Sequence, residues 1–333
     1  MGRRHFLSGG AALLATPSKA ADQSARRWKV AFANLTEEAG VKLEGLGFVG
    51  ADVRRSFELA ARTLPVDMIY FDNGGDSARA LANTDAAIAQ KVDLLIAYHA
   101  DAEANAEIAG KAKAARVPVL AVNYAVPGAP LYTADNHAAG KLAGVALGQF
   151  ARRDWKGEAI TAVIAGDHGD LGAAVTDRVR GIIEGLAKEL PDMKPVNIDT
   201  SGQPVRMEAL LKKHFATLSR QKLLIATLDD PTALAARGAL DLLQHASDCV
   251  ICGQGVDRSL HGGANDKKEL DPANRGSPLI GSVAYFLDRY GYDVLPLALK
   301  MLGGETLPPR TATQHVLLSA QNIFAVYPPH DMN

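Results

Sequence analysis

Short apolar runs alternating with Ala-rich amphipathic stretches, twice over, are what most restrict the folds open to this chain. The first series of strands is read at Trp28–Asn34, Val66–Phe71, Asp93–Tyr98 and Val117–Val122, with helices near Phe48–Thr63, Ser77–Gln90 and Ala102–Ala115. After the Pro/Gly punctuation Val126–Pro130 and a helix at Asn136–Arg152, strands recur at Ala159–Ala165, Lys194–Ile198, Lys222–Thr227 and Asp248–Gly253. Helices near Gly172–Leu190, Met207–Leu218 and Thr232–His245 lie between them. Strands that alternate with helices form parallel sheets covered on both faces and joined by right-handed crossovers. The pattern therefore predicts an α/β fold of two doubly wound lobes facing each other across a cleft. Val126–Pro130 reads as a linker or a crossing between them. Further on, Gly262–Ser277 reads as a polar exposed loop, Pro278–Ala284 as a strand and Leu287–Leu302 as a helix.

With 333 residues, 47% of them hydrophobic and 22% charged, the chain has the composition of a globular protein. A formal charge of −1 without basic blocks argues against nucleic acid as partner, and no apolar run reaches the roughly 20 residues of a spanning helix. The first 21 residues stand apart. Arg3 and Arg4 precede Phe6 and Leu7, a weak apolar stretch follows, and Ser18, Ala20 and Ala21 offer a cleavage site. GRRHFLS is similar to a twin-arginine export signal, although it lacks the usual Ser or Thr before the arginines and the usual Lys at the end. A periplasmic protein, cleaved near Ala20 or Ala21, without a membrane anchor and monomeric, is expected. In an oxidising compartment paired cysteines usually bridge. Cys249 and Cys252, however, sit three residues apart in an extended run, roughly 10 Å between α-carbons, too far to bond. Both read as small buried hydrophobes.

Tests for chemistry are mostly negative. No P-loop and no G-x-G-x-x-G after the first strand supports nucleotide binding. No G-x-S-x-G elbow, H-E-x-x-H or other metal-ligand spacing occurs, and neither cofactor nor metal is expected. What recurs beyond the strand ends, where open parallel sheets bind ligands, is hydrogen-bonding equipment without an evident nucleophile. Asn123 and Tyr124, Asp167 with His168, His99, Asp229 and Gln254 all stand there, and Arg178 lies early in the helix after Ala165. Amides, carboxylates and guanidinium groups pair with vicinal hydroxyls, and aromatic rings cover the apolar faces of sugars. In LIATLDDPTAL the strand ends at two carboxylates, with Asp230 read as N-cap and Pro231 as first helical residue. The plainer reading of Asp229 is also service to that helix terminus. For His99 and His168 the plainer reading is a solvated loop histidine.

Several segments carry a resemblance: DNGGDSARALANTDAAIAQKVDLLIAYHAD, KAKAARVPVLAVNYAVPGAP with TADNHAAGKLAG, TDRVRGIIEGL, and IGSVAYFLDRYGYDVLPLALKMLGG. In their order and spacing the chain resembles the periplasmic sugar-binding proteins of ABC transporters, of the ribose-binding type, over nearly its whole length. The resemblance implies two α/β lobes joined by a three-crossing hinge, with residues 27–126 and 286–314 in the N-terminal lobe and 127–285 and 315–327 in the C-terminal one. It implies hinge closure on a monosaccharide or related carbohydrate, delivery to a membrane permease, and no enzymatic activity. A sensor handing its ligand to a chemoreceptor or kinase is the alternative role; a gene regulator or an exported glycosidase fits less well.

By position the resemblance implies binding roles for Phe48, Asn123, Tyr124, Arg178, Asp229 and Tyr285. Departures accompany it. Asn123 stands where Asp is common, Tyr124 where Arg is frequent, Tyr285 where Gln is frequent, and Asp229 where an Asn usually precedes an Asp. The R-x-x-G-F pattern is R-V-R-G-I here, and F-D-G is replaced by Gln254, Gly255 and Val256. Fewer carboxylates and more rings imply a ligand with fewer free hydroxyl pairs than ribose, or a larger glycoside.

Overall fold

Every second strand residue in the first run faces a covering helix on one side and the next helix on the other, so β1 (Trp28–Asn34) is buried over its last five residues. It lies between β2 (Val66–Asp72) and β3 (Leu94–Ala97), all parallel. The computed structural model describes residues 26–169, 172–217, 221–262, 268–274 and 276–328; the segment read as an export signal, residues 263–267 and 275 of the polar loop, and the end of the helix read to Leu218 lie outside them. The first sheet has the order β11-β5-β4-β3-β1-β2, with β4 at Val119–Val122, β5 at Leu131–Thr133 and β11 at Arg310–Ala312. Helices α1 (Gly50–Ala61), α2 (Ser77–Ala89) and α3 (Ala102–Ala115) connect its strands.

The second sheet repeats the plan. Its order is β12-β10-β9-β8-β6-β7, with β6 at Ile160–Gly166, β7 at Val196–Asp199, β8 at Lys222–Thr227, β9 at Cys249–Gly255 and β10 at Leu279–Ala284. Among the described residues of this sheet only β12 (Val316–Leu318) runs antiparallel, against β10. Around it lie α4 (Asn136–Asp154), α5 (Gly172–Glu189), α6 (Met207–Phe215), α7 (Asp230–Leu242), and the single turns α8 (Arg258–His261) and α10 (Ile323–Val326). Helix α9 (Tyr290–Leu302) returns to the first lobe and packs on α1, where the Gly291 amide donates to Ser56 Oγ at 2.9 Å. The chain thus changes lobe three times: at Ala134 and Asp135, between β10 and α9, and at Thr313–His315 between β11 and β12.

The Pro/Gly turn at Val126–Pro130 links β4 to β5 inside the first sheet, and the crossing comes after it. A three-residue strand is too short to show alternation, which is why β5, β11 and β12 left no mark in the pattern. The helix read from Leu287 begins as a 3₁₀ turn, Leu287–Arg289, and becomes α-helical at Tyr290. Cys249 and Cys252 are buried and unbridged.

Helices α4 and α5 approach so closely that their backbones touch. A Cβ added at Gly144 would stand 2.3 Å from the Ile182 carbonyl, and one at Gly181 would stand 2.1 Å from the His137 carbonyl. Glycine is required at such contacts because any side chain would hold the backbones apart. This contact sets the height of α5 above the second sheet, and with it the position of Arg178, one turn before Gly181.

A closed cleft built around Arg178 and Glu44

Arg178 is fully buried although it carries a permanent charge. Its guanidinium donates from Nε and Nη2 to Asn136 Oδ1 at 3.2 and 2.8 Å, and from Nη1 to the Leu228 carbonyl at 2.5 Å. Nη2 also reaches the Glu44 carbonyl of the other lobe at 3.2 Å. The Tyr285 ring lies 5.0 Å from the guanidinium carbon, within cation–π range. The Tyr285 hydroxyl donates to Gln254 Oε1 at 2.9 Å, and burial pushes its phenol up to about 12. Arg178, Tyr285 and Gln254 therefore form one connected floor on the second lobe.

The opposite wall comes from the first lobe. Residues 42–49 form a hairpin, closed by a bridge between Lys42 and Val49 and by the Leu43 amide donating to the Phe48 carbonyl at 2.8 Å. Its tip turns at Glu44 and Gly45, with φ of 57° and 63°, and the Leu46 amide returns to the Leu43 carbonyl at 2.9 Å. Leu43, Leu46 and Phe48 are buried in the large core that spans both lobes. The half-buried Glu44 accepts from the Tyr98 hydroxyl at 2.5 Å and the Tyr124 hydroxyl at 3.3 Å. Burial pushes its carboxyl above the ordinary range; hydrogen bonds from Tyr98, Asn123 and Tyr124 and the Arg178 charge pull the other way.

Of the residues singled out in the sequence, Arg178, Tyr285 and Gln254 come together, Asn123 and Tyr124 face them through Glu44, and Phe48 anchors the hairpin. Asn123 also supports the first crossing: its Oδ1 accepts from the Tyr290 hydroxyl at 3.1 Å and the Ala134 amide at 3.4 Å. Four residues lie apart, one of them His168, whose Nε2 meets the Ile164 carbonyl at 3.0 Å. His99 turns away because side chains alternate along a strand, so Tyr98 faces the cleft while His99 meets Ser77 Oγ at 3.3 Å. Asp167 accepts from the Gly169 amide at 2.9 Å in its own loop. Asp229 is the N-cap of α7, accepting from the Thr232 amide at 2.7 Å and the Thr232 hydroxyl at 2.9 Å. Its carboxyl is pushed up by burial.

Asp230 is not the cap that the sequence suggested. It is the first helical residue, with Pro231 second; both positions lack an intrahelical partner for the N–H, so proline fits either. Fully buried, Asp230 accepts from Ser282 Oγ at 2.6 Å and from the Asp257 amide at 3.0 Å, tying α7 to β10 and the loop after β9. Burial, reinforced by the neighbouring Asp257, drives its carboxyl strongly toward the protonated form.

Glu44, Tyr98 and Asn136 escaped the sequence reading. Tyr98 follows directly on β3, beside the chosen His99, and continuing the strand's alternation by one residue would have found it. Nothing local marks Glu44. At the hinge, His315 joins two crossings, its Nε2 accepting from the Asp135 amide at 3.0 Å while Nδ1 meets the Ala284 carbonyl at 2.9 Å. Among the described residues no group of three or more His, Cys, Asp or Glu could hold a metal, and no helix is long and apolar enough to cross a membrane.

Two parallel-sheet lobes, three crossings and a polar cluster closed between them define a two-lobed binding protein. Residues 47–263 match the periplasmic binding protein domain, and the chain belongs to that family. No curated protein matches it. Among solved structures, the 5-methylthioribose transporter solute binding protein of Thermotoga lettingae, with 5-methylthioribose bound, is 18% identical at a TM-score of 0.66, covering 92% of this chain and 90% of its own. A periplasmic solute binding protein of an ABC transporter from Actinobacillus succinogenes, with D-allose, is 15% identical at 0.66, over 89% and 99%. An ABC transporter solute binding protein from Agrobacterium vitis, with allitol, is 17% identical at 0.64, over 91% and 99%. The fold is that of the ribose-binding type of periplasmic binding protein.

Proposed function

We propose that the protein is an extracytoplasmic solute-binding protein that captures a monosaccharide or related carbohydrate between its lobes and delivers it to an ABC transporter permease. The observation that carries this is Arg178: a buried guanidinium at the lobe boundary, stacked near Tyr285 and reaching across to the first lobe. A fork of donors beside an aromatic face is the equipment that holds a sugar ring. Family membership and the sugars and polyols held by proteins of the same fold support the reading.

Capture needs no covalent step. A ligand that touches both lobes only when they are closed shifts the population toward that state by its differential contacts. The crossings are the parts that bend, and His315 links two of them. The twin-arginine-like segment supports export, and an exported monomer suits a shuttle to the permease.

The test is thermal unfolding of the mature chain, stripped of ligand by denaturation and refolding, against pentoses, hexoses, polyols and small glycosides. Binding to the native state alone adds about 2.7 kcal/mol of stability at a hundredfold excess over Kd. A raised midpoint with one or two compounds is expected; no shift with any carbohydrate overturns the ligand class.

A further inference from the structure

The cleft is already occupied by its own chain. Arg178, Gln254, Tyr285 and Tyr98 have no exposed surface, and Leu43, Leu46 and Phe48 of the hairpin complete the seal. Nothing reaches the floor unless the hairpin leaves. At its tip, a carboxylate meets donors from the first lobe while the second lobe's guanidinium takes the adjoining carbonyl. We propose that Glu44 is the chain's stand-in for its ligand, and that the ligand is a sugar acid, an aldonate or uronate, whose carboxylate takes the place of the Glu44 carboxylate when the hairpin withdraws. The sugar half of this description rests on the carbohydrate reading above; the carboxylate half rests on the geometry of the cleft.

Four observations carry it. The Tyr98 contact, 2.5 Å, has the length of an O–H···O⁻ bond, which is roughly twice as strong as a neutral one. Both phenols around Glu44 are pushed up by burial and by its charge, so they remain donors and demand an acceptor. Among the described residues all four hydrogen bonds of Arg178 go to neutral oxygens, and none binds its buried charge to a carboxylate directly. Gln254 Nε2 is buried without an acceptor, beside Tyr285 in the same floor. An acid with hydroxyls on its chain would serve the phenols and the guanidinium with its carboxylate and Gln254 with a hydroxyl oxygen.

The nearby acids do not oppose such a ligand. Asp229 is spent on the α7 cap, and burial drives Asp230 and Asp257 toward their neutral forms. The hairpin is also built to leave. Glu44 holds a left-handed backbone, with φ of 57°, a conformation strained for any residue but glycine. Gly47 lies so close to the second lobe that an added Cβ would stand 1.4 Å from Asp257 Oδ2.

Calorimetric titration of the mature chain, Glu44→Gln and Gly47→Ala decides the matter, with gluconate, glucuronate and galacturonate as acids, glucose, galactose and ribose as neutral sugars, and succinate as a sugar-free acid. Gly47→Ala presses the hairpin against the Asp257 carboxylate and so loosens its seat while keeping Tyr98, Tyr124 and Arg178, and Glu44→Gln keeps the shape without the charge. Circular dichroism verifies the fold of each. The expected result is binding of at least one sugar acid, tightened at least tenfold in both variants, with neutral sugars much weaker. Neutral sugars binding as tightly as the acids would overturn the acid assignment and leave the carbohydrate reading standing. Binding of succinate alone would overturn the carbohydrate reading, and the sugar half with it, while supporting the stand-in role of Glu44. Weaker binding of every probe in both variants would make Glu44 a direct ligand contact and overturn that role. No binding of any probe to any variant would overturn both.

Discussion

Arg178 and Asp229 are both polar residues at the lobe boundary, yet their hydrogen bonds give them different work. Replacing Arg178 by Lys removes the fork that serves Asn136, Leu228 and Glu44 together. Charge-assisted bonds are worth about 1.5–3 kcal/mol each, so loss of one predicts ligand affinity reduced by roughly 10- to 100-fold and loss of two by roughly 100- to 10,000-fold, read by calorimetry. Asp229 serves the helix first. Asp229→Ala should cost about 1 kcal/mol of stability, measured by denaturant unfolding, while Asp229→Asn, which keeps an acceptor for the Thr232 amide, should cost much less. The distinction between Asp229 and Asp230 was hidden in the sequence because D-D-P offers two adjacent carboxylates and a proline tolerated at either early helical position. Only the third dimension, with Ser282 and the Asp257 amide converging on Asp230, shows which one is buried.

At the scale of elements, the long strands and helices were legible because each spans several periods of its pattern. Helix α3 spans the residues read for it, Ala102–Ala115, and β8 those of its strand, Lys222–Thr227. The hairpin at 42–49 was not legible, since its anchors, Leu43 and Leu46, are buried by residues far along the chain rather than by a local period. The glycines of α4 and α5 were equally silent: a helix interior gains nothing from glycine except closeness to a neighbour. Gly181→Ala should therefore destabilise the fold by about 1–3 kcal/mol, the usual range for overpacking, even though alanine favours helices. Because Arg178 rides on α5, the same substitution should weaken ligand binding; unchanged affinity in a folded Gly181→Ala protein would mean that the two helices do not set the guanidinium.

For the whole molecule, the buried acids give a pH dependence of definite sign. Burial pushes Asp288 to about 6, opposed only partly by the Tyr327 hydroxyl and Arg289. Between its ordinary range near 4 and about 6, the folded form holds a proton that the unfolded chain has lost, so this group's stabilisation is present at low pH and lost as pH rises through about 6. Asp230 and Asp257 act in the same direction. His315 opposes them: burial lowers its pKa, so its contribution is present above the ordinary histidine range and lost as pH falls through it. Scanning calorimetry should show Asp288→Asn raising the midpoint at pH 7.5, with the gain shrinking toward pH 5. At about 2–4 °C per kcal/mol for a chain of this order of size, the shift is measurable. A midpoint for Asp288→Asn that runs parallel to the parent across that range would show that Asp288 titrates normally.

The hairpin also bears on how such a protein would behave as an optical biosensor. Fluorophores placed on the two lobes report a ligand through the change in their separation, and that signal depends on a gap in the ligand-free protein. Here Glu44 and Leu46 already hold the lobes together, with Gly47 against Asp257. A pair of dyes would start near its closed reading and gain little on ligand addition. The informative place for a label is the hairpin itself: a dye next to the exposed Gly45, at the rim of the sealed cleft, would move away from the second lobe as the ligand enters.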